Sequence, residues 1–237
     1  MKEKKNPKPS QLNNYTGTIP LIILFLFSIA LYINTVGYQY ALDDSIVIVK
    51  NQFTKKGISG IPDILSNDSF TGFFGIQKNL VSGGRYRPMS IVSFAIEYHF
   101  LGLNPGISHL INVLLYALLV LLVFVLTSKL LVPEKKQKWW LSIPFFTALL
   151  FAVHPLHTEV VANIKGRDEI FALLGSLLSF FWAIKYIDKN KGKYILYSSL
   201  ALFFGLLSKE NSIAFVAIIP LGDRKSTRLN SSHRIRS

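Results

Sequence analysis

Long apolar runs constrain this chain more than any other feature of its sequence. The clearest runs cover residues 19–37, 107–131 and 170–187. A helix needs roughly 20 apolar residues to cross the hydrocarbon core of a membrane, which is about 30 Å thick. Charged residues make up only 16% of the chain, whereas a soluble domain has about 25%. We therefore predict an all-α, polytopic membrane protein.

Two further apolar runs, residues 140–153 and 194–207, are short for a crossing. They reach the required length only if their helices continue into the polar residues that follow. A sixth run begins near Ser212. The sequence thus predicts about six transmembrane helices.

Lysine-rich segments predict the orientation of these helices. The head, residues 1–18, and the connections at residues 134–140 and 185–193 are rich in lysine. Basic residues near span ends favour the cytoplasmic side. Alternating spans place all of these segments on that side if the apolar stretch 87–102 does not cross the membrane. We therefore expect a cytoplasmic basic head and polar loops at the external face.

The stretch 87–102 is expected to lie at the outer interface. It is short for a span, and Ser90, Ser93 and Glu97 fall on one stripe at helical spacing. This pattern predicts an amphipathic helix in the membrane interface. The helix would belong to a large external loop, residues 38–106, between the first two spans.

Residues 223–237 differ in character from the rest of the chain. They have no apolar periodicity and follow abruptly on a membrane run. We interpret them as adapter-derived, non-native sequence, with a basic tail on the membrane surface as the alternative. Residues 19–222 then form the membrane domain. No nucleic-acid motif accompanies the basic residues, so we expect no nucleic-acid partner.

Charged residues gather where the external segments meet the predicted spans. Asp43 and Asp44 follow the first span, and Arg85 and Arg87 precede the interfacial helix. Charges at membrane depth are costly unless they are paired or solvated, so they indicate a functional site. A helix cap at Asp43 and Asp44, and ordinary ion pairs elsewhere, remain as alternatives. The other charged candidates are Arg167, Asp168, Glu169, Lys209 and Glu210.

Two histidines form a pattern that resembles a metal site. His154 and His157 lie three residues apart, and Glu159 is nearby. Glu159 falls off the helical face that the histidines share, and the sequence offers no further ligand. Packed or hydrogen-bonded histidines explain the pattern better, so we assign no metal site. The sequence names no cofactor, and the need for a divalent cation is left open.

Several motifs together resemble a known family. Over residues 19–221 the chain resembles the transmembrane and tetratricopeptide-repeat O-mannosyltransferases and their bacterial relatives. The resemblance implies the GT-C fold of glycosyltransferases that use lipid-phosphate sugars. Family members continue with more spans and helical repeats, so we expect this chain to be an amino-terminal fragment that is inactive alone. The motifs are YALDDSIVIVKN (40–51), RYRPMS (85–90), SHLIN (108–112), LLFAVHPLHTEVV (149–161), KGRDEI (165–170) and LSKENSIAF (207–215).

The resemblance also implies substrates and a location. Members move a sugar from a polyprenyl-phosphate carrier, dolichyl-phosphate mannose in eukaryotes, commonly to a Ser or Thr hydroxyl of a protein. The implied partners are this carrier, the hydroxyl acceptor and the bilayer. The implied location is the bacterial inner membrane, or the endoplasmic reticulum membrane in a eukaryote.

By analogy with the acid pair of the family, Asp43 is expected to be the catalytic base and Asp44 to orient the acceptor. An acceptor hydroxyl needs a base within hydrogen-bond reach. A phosphate leaving group needs positive charge in a shielded site, and Arg87, Arg167 and Lys209 are the candidates. The surrounding substrate-binding network is expected to contain His154, His157, Glu159, Asp168, Glu169 and Glu210.

A transporter or flippase for a lipid-linked or small substrate is the alternative function. Transport usually needs polar or broken helices near the middle of the membrane. The runs 107–131 and 170–187 are almost uninterrupted, and the charged groups gather at one face. This distribution favours surface chemistry over a conduit.

Overall fold

Residues 17–75, 85–131 and 138–220 are described by the structure, a computed structural model, and every regular element within them is helical. The all-α class is therefore confirmed for these ranges. The predicted adapter-derived tail, residues 223–237, and nearly all of the basic head lie outside the described residues. The α-helices are α1 (Thr18–Tyr32), α2 (Gln52–Lys55), α3 (Ile61–Ser66), α4 (Thr71–Phe74), α5 (Pro88–Leu101), α6 (Pro105–Leu130), α7 (Ile143–Val153), α8 (Leu156–Ala162), α9 (Arg167–Lys189), α10 (Lys193–Ser208) and α11 (Glu210–Pro220).

Three helical segments in the described residues are long and apolar enough to cross a membrane: Thr18–Gly37, Pro105–Leu130 and Ile164–Lys189. The first of them is α1 with the 3₁₀ turn that follows it, and the third is α9 with the turn that precedes it. These segments match the longest apolar runs of the sequence. The chain is an integral membrane protein.

The shorter runs do not simply lengthen into straight spans. Helix α7 ends at Val153, and α8 begins at Leu156 with a change of direction of 63°. The break coincides with Pro155, which cannot donate a backbone hydrogen bond to the turn before it. If this bent pair crosses once, the described residues contain four spans, and α10 and α11 are short apolar helices. The described residues therefore contain three or four helical segments that can cross a membrane, compared with the approximately six transmembrane helices expected from the sequence.

The long helices place the polar and lysine-rich residues at opposite ends of the bundle. Near the start of α6, Asn112 donates to the carbonyl of Ile164 at 3.1 Å. Near its end, Lys129 lies 3.7 Å from Asp188 of α9. Helices α6 and α9 therefore run in the same direction. Because α9 has 23 residues, its ends lie about 35 Å apart at 1.5 Å per residue, which is close to the thickness of a membrane core.

We call these ends the polar end, where α6 and α9 begin, and the lysine end, where they finish. At the lysine end Lys185 lies over the rings of Phe181 and Trp182, each at 4.6 Å. Trp182 also stacks on Tyr194 at 5.7 Å. Aromatic and basic residues of this kind are typical of a membrane–water interface.

The first loop folds over the polar end. Its short helices α2 to α5 surround a small apolar core that includes Ile48, Ile64 and Phe94. Asn51 caps α2, because its side chain accepts from the backbone N–H groups of Phe53 and Thr54. The loop is thus a packed cover on the bundle.

Helix α5 turns its polar stripe inward. Ser90 is buried, and Ser93 and Glu97 both accept hydrogen bonds from Arg167 of α9. In contrast, Ile96 and Phe100 on the other side of α5 are exposed. An interfacial helix would be expected to turn its polar stripe toward water. The reason for the difference is Arg167, since a buried guanidinium must be hydrogen-bonded and the stripe supplies the acceptors.

Helices α9 and α10 pack closely through small residues. A Cβ atom at Gly175 would lie only 2.7 Å from the carbonyl oxygen of Ala201 and 2.8 Å from Gly205. Ser179 and Ser198 also share a hydrogen bond of 3.0 Å across this contact. Small residues let helix backbones approach in a membrane, where van der Waals contact provides much of the association.

Gly175→Ala is expected to lower the free energy of unfolding by about 1–3 kcal/mol, because the added methyl group forces the two backbones apart. The midpoint of thermal unfolding in detergent, followed by tryptophan fluorescence, measures the loss. Gly192→Ala is the matched control, since a Cβ at Gly192 would meet no atom within 4 Å. Equal midpoints for both variants would contradict the close packing.

Candidate active site

The polar end brings together residues from distant parts of the chain. The first loop contributes Asp43 and Asp44, and the start of α5 contributes Arg87. The turn before α9 contributes Lys165, and the break between α10 and α11 contributes Lys209. These segments contact one another through side chains, as the following distances show.

Asp44 fixes the first loop to the turn before α9. Its side chain is 1% exposed. One oxygen accepts from the backbone N–H of Ala41 at 2.9 Å, and the other accepts from the backbone N–H of Lys165 at 2.8 Å. Burial raises the pKa of Asp44, although these two hydrogen bonds oppose the shift. Both oxygens are thus engaged with the backbone, so Asp44 positions Lys165 in this structure and does not present an oxygen to an acceptor.

Asp43 has the opposite environment to its neighbour. Its side chain is 52% exposed, and Oδ2 lies 3.6 Å from Nζ of Lys165. No backbone group within the described residues donates to its carboxylate. The carboxylate is therefore accessible to a substrate and close to a positive charge.

Arg87 links the first loop to two other segments. Its Nη1 lies 3.0 Å from Oδ2 of Asp168, and its Nε donates to Oε2 of Glu210 at 2.9 Å. Nη2 also donates to Glu210. Burial lowers the pKa of Arg87, but the two carboxylates outweigh this effect and raise it. Bonding to Arg87 in turn lowers the pKa of Glu210.

Lys209 adds a second link between the α10–α11 break and α9. Its ammonium is paired with Glu169, and its side chain is 15% exposed. Burial lowers the pKa of Lys209, and the nearby positive charges of Arg87 and Lys165 act in the same direction, while Asp168 opposes them. Lys209 and Glu210 are adjacent in the chain and bind partners of opposite charge. Lys209 binds the carboxylate of Glu169, and Glu210 binds the guanidinium of Arg87.

Arg167 does not have the role expected from the sequence. Its side chain is fully buried and is paired with Glu97. Nε donates to Oδ1 of Asn112 at 2.7 Å, and Nη2 donates to the carbonyl of Ser108 at 3.0 Å. Its plane also lies over the ring of Phe94 at 4.4 Å. Arg167 is therefore committed to holding α5, α6 and α9 together and has no surface for a carrier phosphate.

A small depression next to Lys165 is lined by three positive side chains and one carboxylate. Arg85, Arg87 and Lys165 line it together with Asp168, Ser69 and Ser90, and its apolar part is formed by Val47, Phe70 and Ile91. Its volume is about 20 Å³, enough for roughly one water molecule. A phosphate would require Arg85 or Lys165 to move outward, and both side chains are only partly buried. The depression is the candidate anion site of the described residues.

The histidine motif lies apart from this cluster. His154 and Glu159 are exposed, whereas His157 packs on Phe151, with ring centroids 4.3 Å apart. His157 and Glu169 also line an apolar cavity of about 260 Å³ between α6, α8, α9 and α11. Within residues 17–75, 85–131 and 138–220, no three His, Asp or Glu side chains approach closely enough to hold a metal ion.

Sequence reasoning missed several residues of the site. Lys165 was not a candidate, although it stands in the KGRDEI motif, and Arg85, the first residue of the RYRPMS motif, was given no role in the site. Glu97 was assigned to a surface stripe, and Asn112 was counted within an apolar span. The sequence feature that pointed to this contact was the amide of Asn112 inside the apolar helix α6, because a buried polar side chain requires a hydrogen-bond partner.

Comparison with known proteins identifies relatives over most of the chain. The human protein O-mannosyl-transferase TMTC2 is 33% identical over 207 residues, which cover 82% of this chain and 23% of the relative. The human protein O-mannosyl-transferase TMTC1 is 34% identical over 170 residues, covering 72% of this chain and 18% of the relative. The Caenorhabditis elegans protein O-mannosyl-transferase F38B6.6 is 30% identical over 210 residues, covering 89% and 29%.

The chain thus spans between about a fifth and three tenths of the length of these curated relatives. No family model matches it. No solved structure matches it either. These relatives are 30–34% identical to the chain over 72–89% of its length, and on this basis the chain belongs to the TMTC family of protein O-mannosyl-transferases.

Proposed function

We propose that the protein to which this chain belongs transfers mannose from a polyprenyl-phosphate carrier to a Ser or Thr hydroxyl of a protein. The polar end would carry the reaction at the external face of the membrane. The names of the relatives support the mannose and the protein acceptor. The carrier is the one that the family resemblance implies, and the distribution of the lysine-rich segments supports the external face.

Asp43 would act as the base in this reaction. Its carboxylate accepts the proton of the acceptor hydroxyl while the hydroxyl oxygen attacks the anomeric carbon of mannose. The bond between that carbon and the phosphate oxygen breaks, and the polyprenyl phosphate leaves with the electron pair. The configuration at the carbon inverts. The exposure of Asp43 supports this assignment, because a base must reach the substrate.

The leaving phosphate would be stabilised by the cations of the depression. Arg85, Arg87 and Lys165 supply hydrogen-bond donors and positive charge where the negative charge develops. Lys209 is close enough to Arg87 and Lys165 to influence the same region. Asp44 would hold Lys165 in place through its backbone. A divalent cation is not assigned a role.

The observation that carries this proposal is the shared position of Lys165. Its ammonium lies 3.6 Å from the exposed carboxylate of Asp43, and its side chain also lines the cationic depression. The proposed base, Asp43, would therefore lie next to the cations proposed to bind the leaving phosphate. Sugar transfer from a lipid phosphate requires this adjacency, since the two bonds change at one carbon atom.

The test is a transfer assay with the full-length protein in proteoliposomes. Radiolabelled polyprenyl-phosphate mannose is the donor, and a peptide rich in Ser and Thr is the acceptor. We expect the label to appear on the peptide and to be released by alkaline elimination, as an O-linked sugar would be. Unlabelled peptide in the presence of intact, folded protein would contradict the proposal.

One feature favours the rival function of a transporter or flippase. The 63° bend between α7 and α8 interrupts a membrane segment, and transporters often contain such broken helices. The same proteoliposomes separate the functions. Movement of unmodified mannosyl lipid across the bilayer, without sugar on the peptide, would support transport.

A further inference from the structure

Arg87 binds two carboxylates that differ in exposure. The side chain of Asp168 is 4% exposed and contacts Nη1 at 3.0 Å. The side chain of Glu210 is 66% exposed and accepts hydrogen bonds from both Nε and Nη2 of Arg87. One partner is thus part of the packed structure, and the other approaches the guanidinium from solvent.

Glu210 fills the edge of Arg87 that an anionic ligand would use. Two parallel N–H groups of a guanidinium match either a carboxylate or a phosphate, because both anions present a pair of oxygens. Nε and Nη2 of Arg87 donate to Oε2 and Oε1 of Glu210 in this arrangement. A phosphate bound in the same way would have to replace Glu210.

The surrounding cations leave little positive charge for an added anion. Lys165 faces Asp43, and Lys209 is paired with Glu169. In the described part of the chain, Arg85 has no carboxylate on its side chain and lies over the ring of Phe70. A phosphate approaching Nε and Nη2 of Arg87 while Glu210 stays in place would meet the negative charge of that carboxylate at close range.

The backbone allows Glu210 to leave without disturbing the bundle. Lys209 is extended, with φ of −161° and ψ of 142°, and it separates the last turn of α10 from the 3₁₀ turn Glu210–Ile213. Because the side chain of Glu210 is 66% exposed, its rotation into solvent would release Arg87 without a change in α10. Asp168 keeps the guanidinium oriented through Nη1.

We propose that Glu210 is an internal competitor for the anion site of Arg87: it occupies the guanidinium when no lipid phosphate is bound, and the phosphate displaces it. This inference rests on the proposed function, because it takes the lipid phosphate as the ligand of Arg87. It assigns Glu210 a role in controlling access to the site, in addition to the substrate-binding network expected from the sequence.

The experiment measures the binding of farnesyl phosphate, a short polyprenyl phosphate, to the purified chain in lipid nanodiscs. Glu210→Gln should tighten binding by about tenfold, because the amide removes the negative charge that holds the fork of Arg87. Farnesol, which lacks the phosphate, should bind the original and the variant equally. Asp188→Asn is the matched control, since it removes an exposed carboxylate at the lysine end, and it should change binding by less than about twofold.

Arg87→Lys combined with Glu210→Gln should cancel the gain, because an ammonium cannot present two parallel donors. The inference is overturned if Glu210→Gln binds farnesyl phosphate equally or more weakly, if the gain survives Arg87→Lys, or if neither protein binds the phosphate. Transfer is measured separately. Mannose transfer without a gain in Glu210→Gln retains the proposed function alone, and the gain without transfer retains this inference alone.

Discussion

Replacing Asp43 by asparagine is expected to reduce mannose transfer by about 10²–10⁴-fold, the usual contribution of a general base. Asparagine has nearly the same shape but cannot accept the proton of the acceptor hydroxyl at neutral pH. The exposed position of Asp43 means that the fold loses little, since the side-chain contact that is weakened is a partly exposed ion pair with Lys165 at 3.6 Å. The effect should therefore fall on the turnover number and leave carrier binding nearly unchanged.

The measurement is the initial rate of transfer at saturating carrier, with binding of the carrier measured on the same preparations. Asp63→Asn is the matched control, because Asp63 is an exposed acid in the same loop and is paired with Lys56 at 2.7 Å. It should retain full transfer. Turnover by Asp43→Asn within a few-fold of the original protein would exclude Asp43 as the base.

Asp44→Asn is informative beside this result, because the structure separates the two neighbouring acids. Asp44 is buried and accepts hydrogen bonds from the backbone of Ala41 and Lys165. An amide would place an N–H group against one of these donors, so its effect should include a loss of stability. The two adjacent acids therefore differ in role: Asp43 is exposed and available to a substrate, whereas Asp44 is buried and holds the backbone.

The sequence predicted the features that depend on one segment at a time. Apolar length identified the spans that contain α1, α6 and α9, because a membrane helix satisfies its own backbone hydrogen bonds. Charge bias placed the lysines of residues 185–193 away from Asp43, and the direction of α9 agrees with that separation. The side of the membrane on which the polar end lies stays a prediction.

Features that depend on distant contacts could not be predicted in this way. The stripe of Ser93 and Glu97 looks like the wet face of an interfacial helix until Arg167 is brought against it from a position 70 residues or more along the chain. The same contact removes Arg167 from the list of phosphate ligands. The place of Lys165 in the site could not be predicted from the sequence, because it depends on the hydrogen bond from its backbone N–H to the distant side chain of Asp44.

The bend at Pro155 illustrates an intermediate case. A proline inside an apolar stretch predicts a break in the helix, and the sequence marks its position. Both α7 and α8 contact α6, and the 63° change of direction between them could not be predicted from the sequence. As a result, the short apolar run 140–153 continues into the residues that follow it as a bent pair of helices and not as one straight helix.

The largest expected effect on stability comes from the buried pair of Arg167 and Glu97. Arg167→Met should lower the free energy of unfolding by about 3–5 kcal/mol, the usual cost of removing one partner of a buried ion pair. The carboxylate of Glu97 would keep only the hydroxyl of Ser108 as a donor. Asn112 and the carbonyl of Ser108 would also lose the hydrogen bonds that Arg167 provides.

A double-mutant cycle tests this account. Glu97→Gln alone leaves the buried charge of Arg167 without its counter-ion and should also be strongly destabilising. The combined variant should be less destabilised than the sum of the single variants, because each removes the partner that the other leaves uncompensated. Unfolding in mixed detergent micelles, followed by tryptophan fluorescence, gives the free energies.

Lys56→Met is the matched control for this cycle, since it breaks an ion pair with Asp63 in which both side chains are about half exposed. Exposed pairs contribute about 0–1 kcal/mol. Additive effects of Arg167→Met and Glu97→Gln, or single effects no larger than that of the control, would show that the two residues do not act as a buried unit. The large coupling is expected because Arg167 is the one fully buried cation of the described residues, and its hydrogen bonds join α5, α6 and α9.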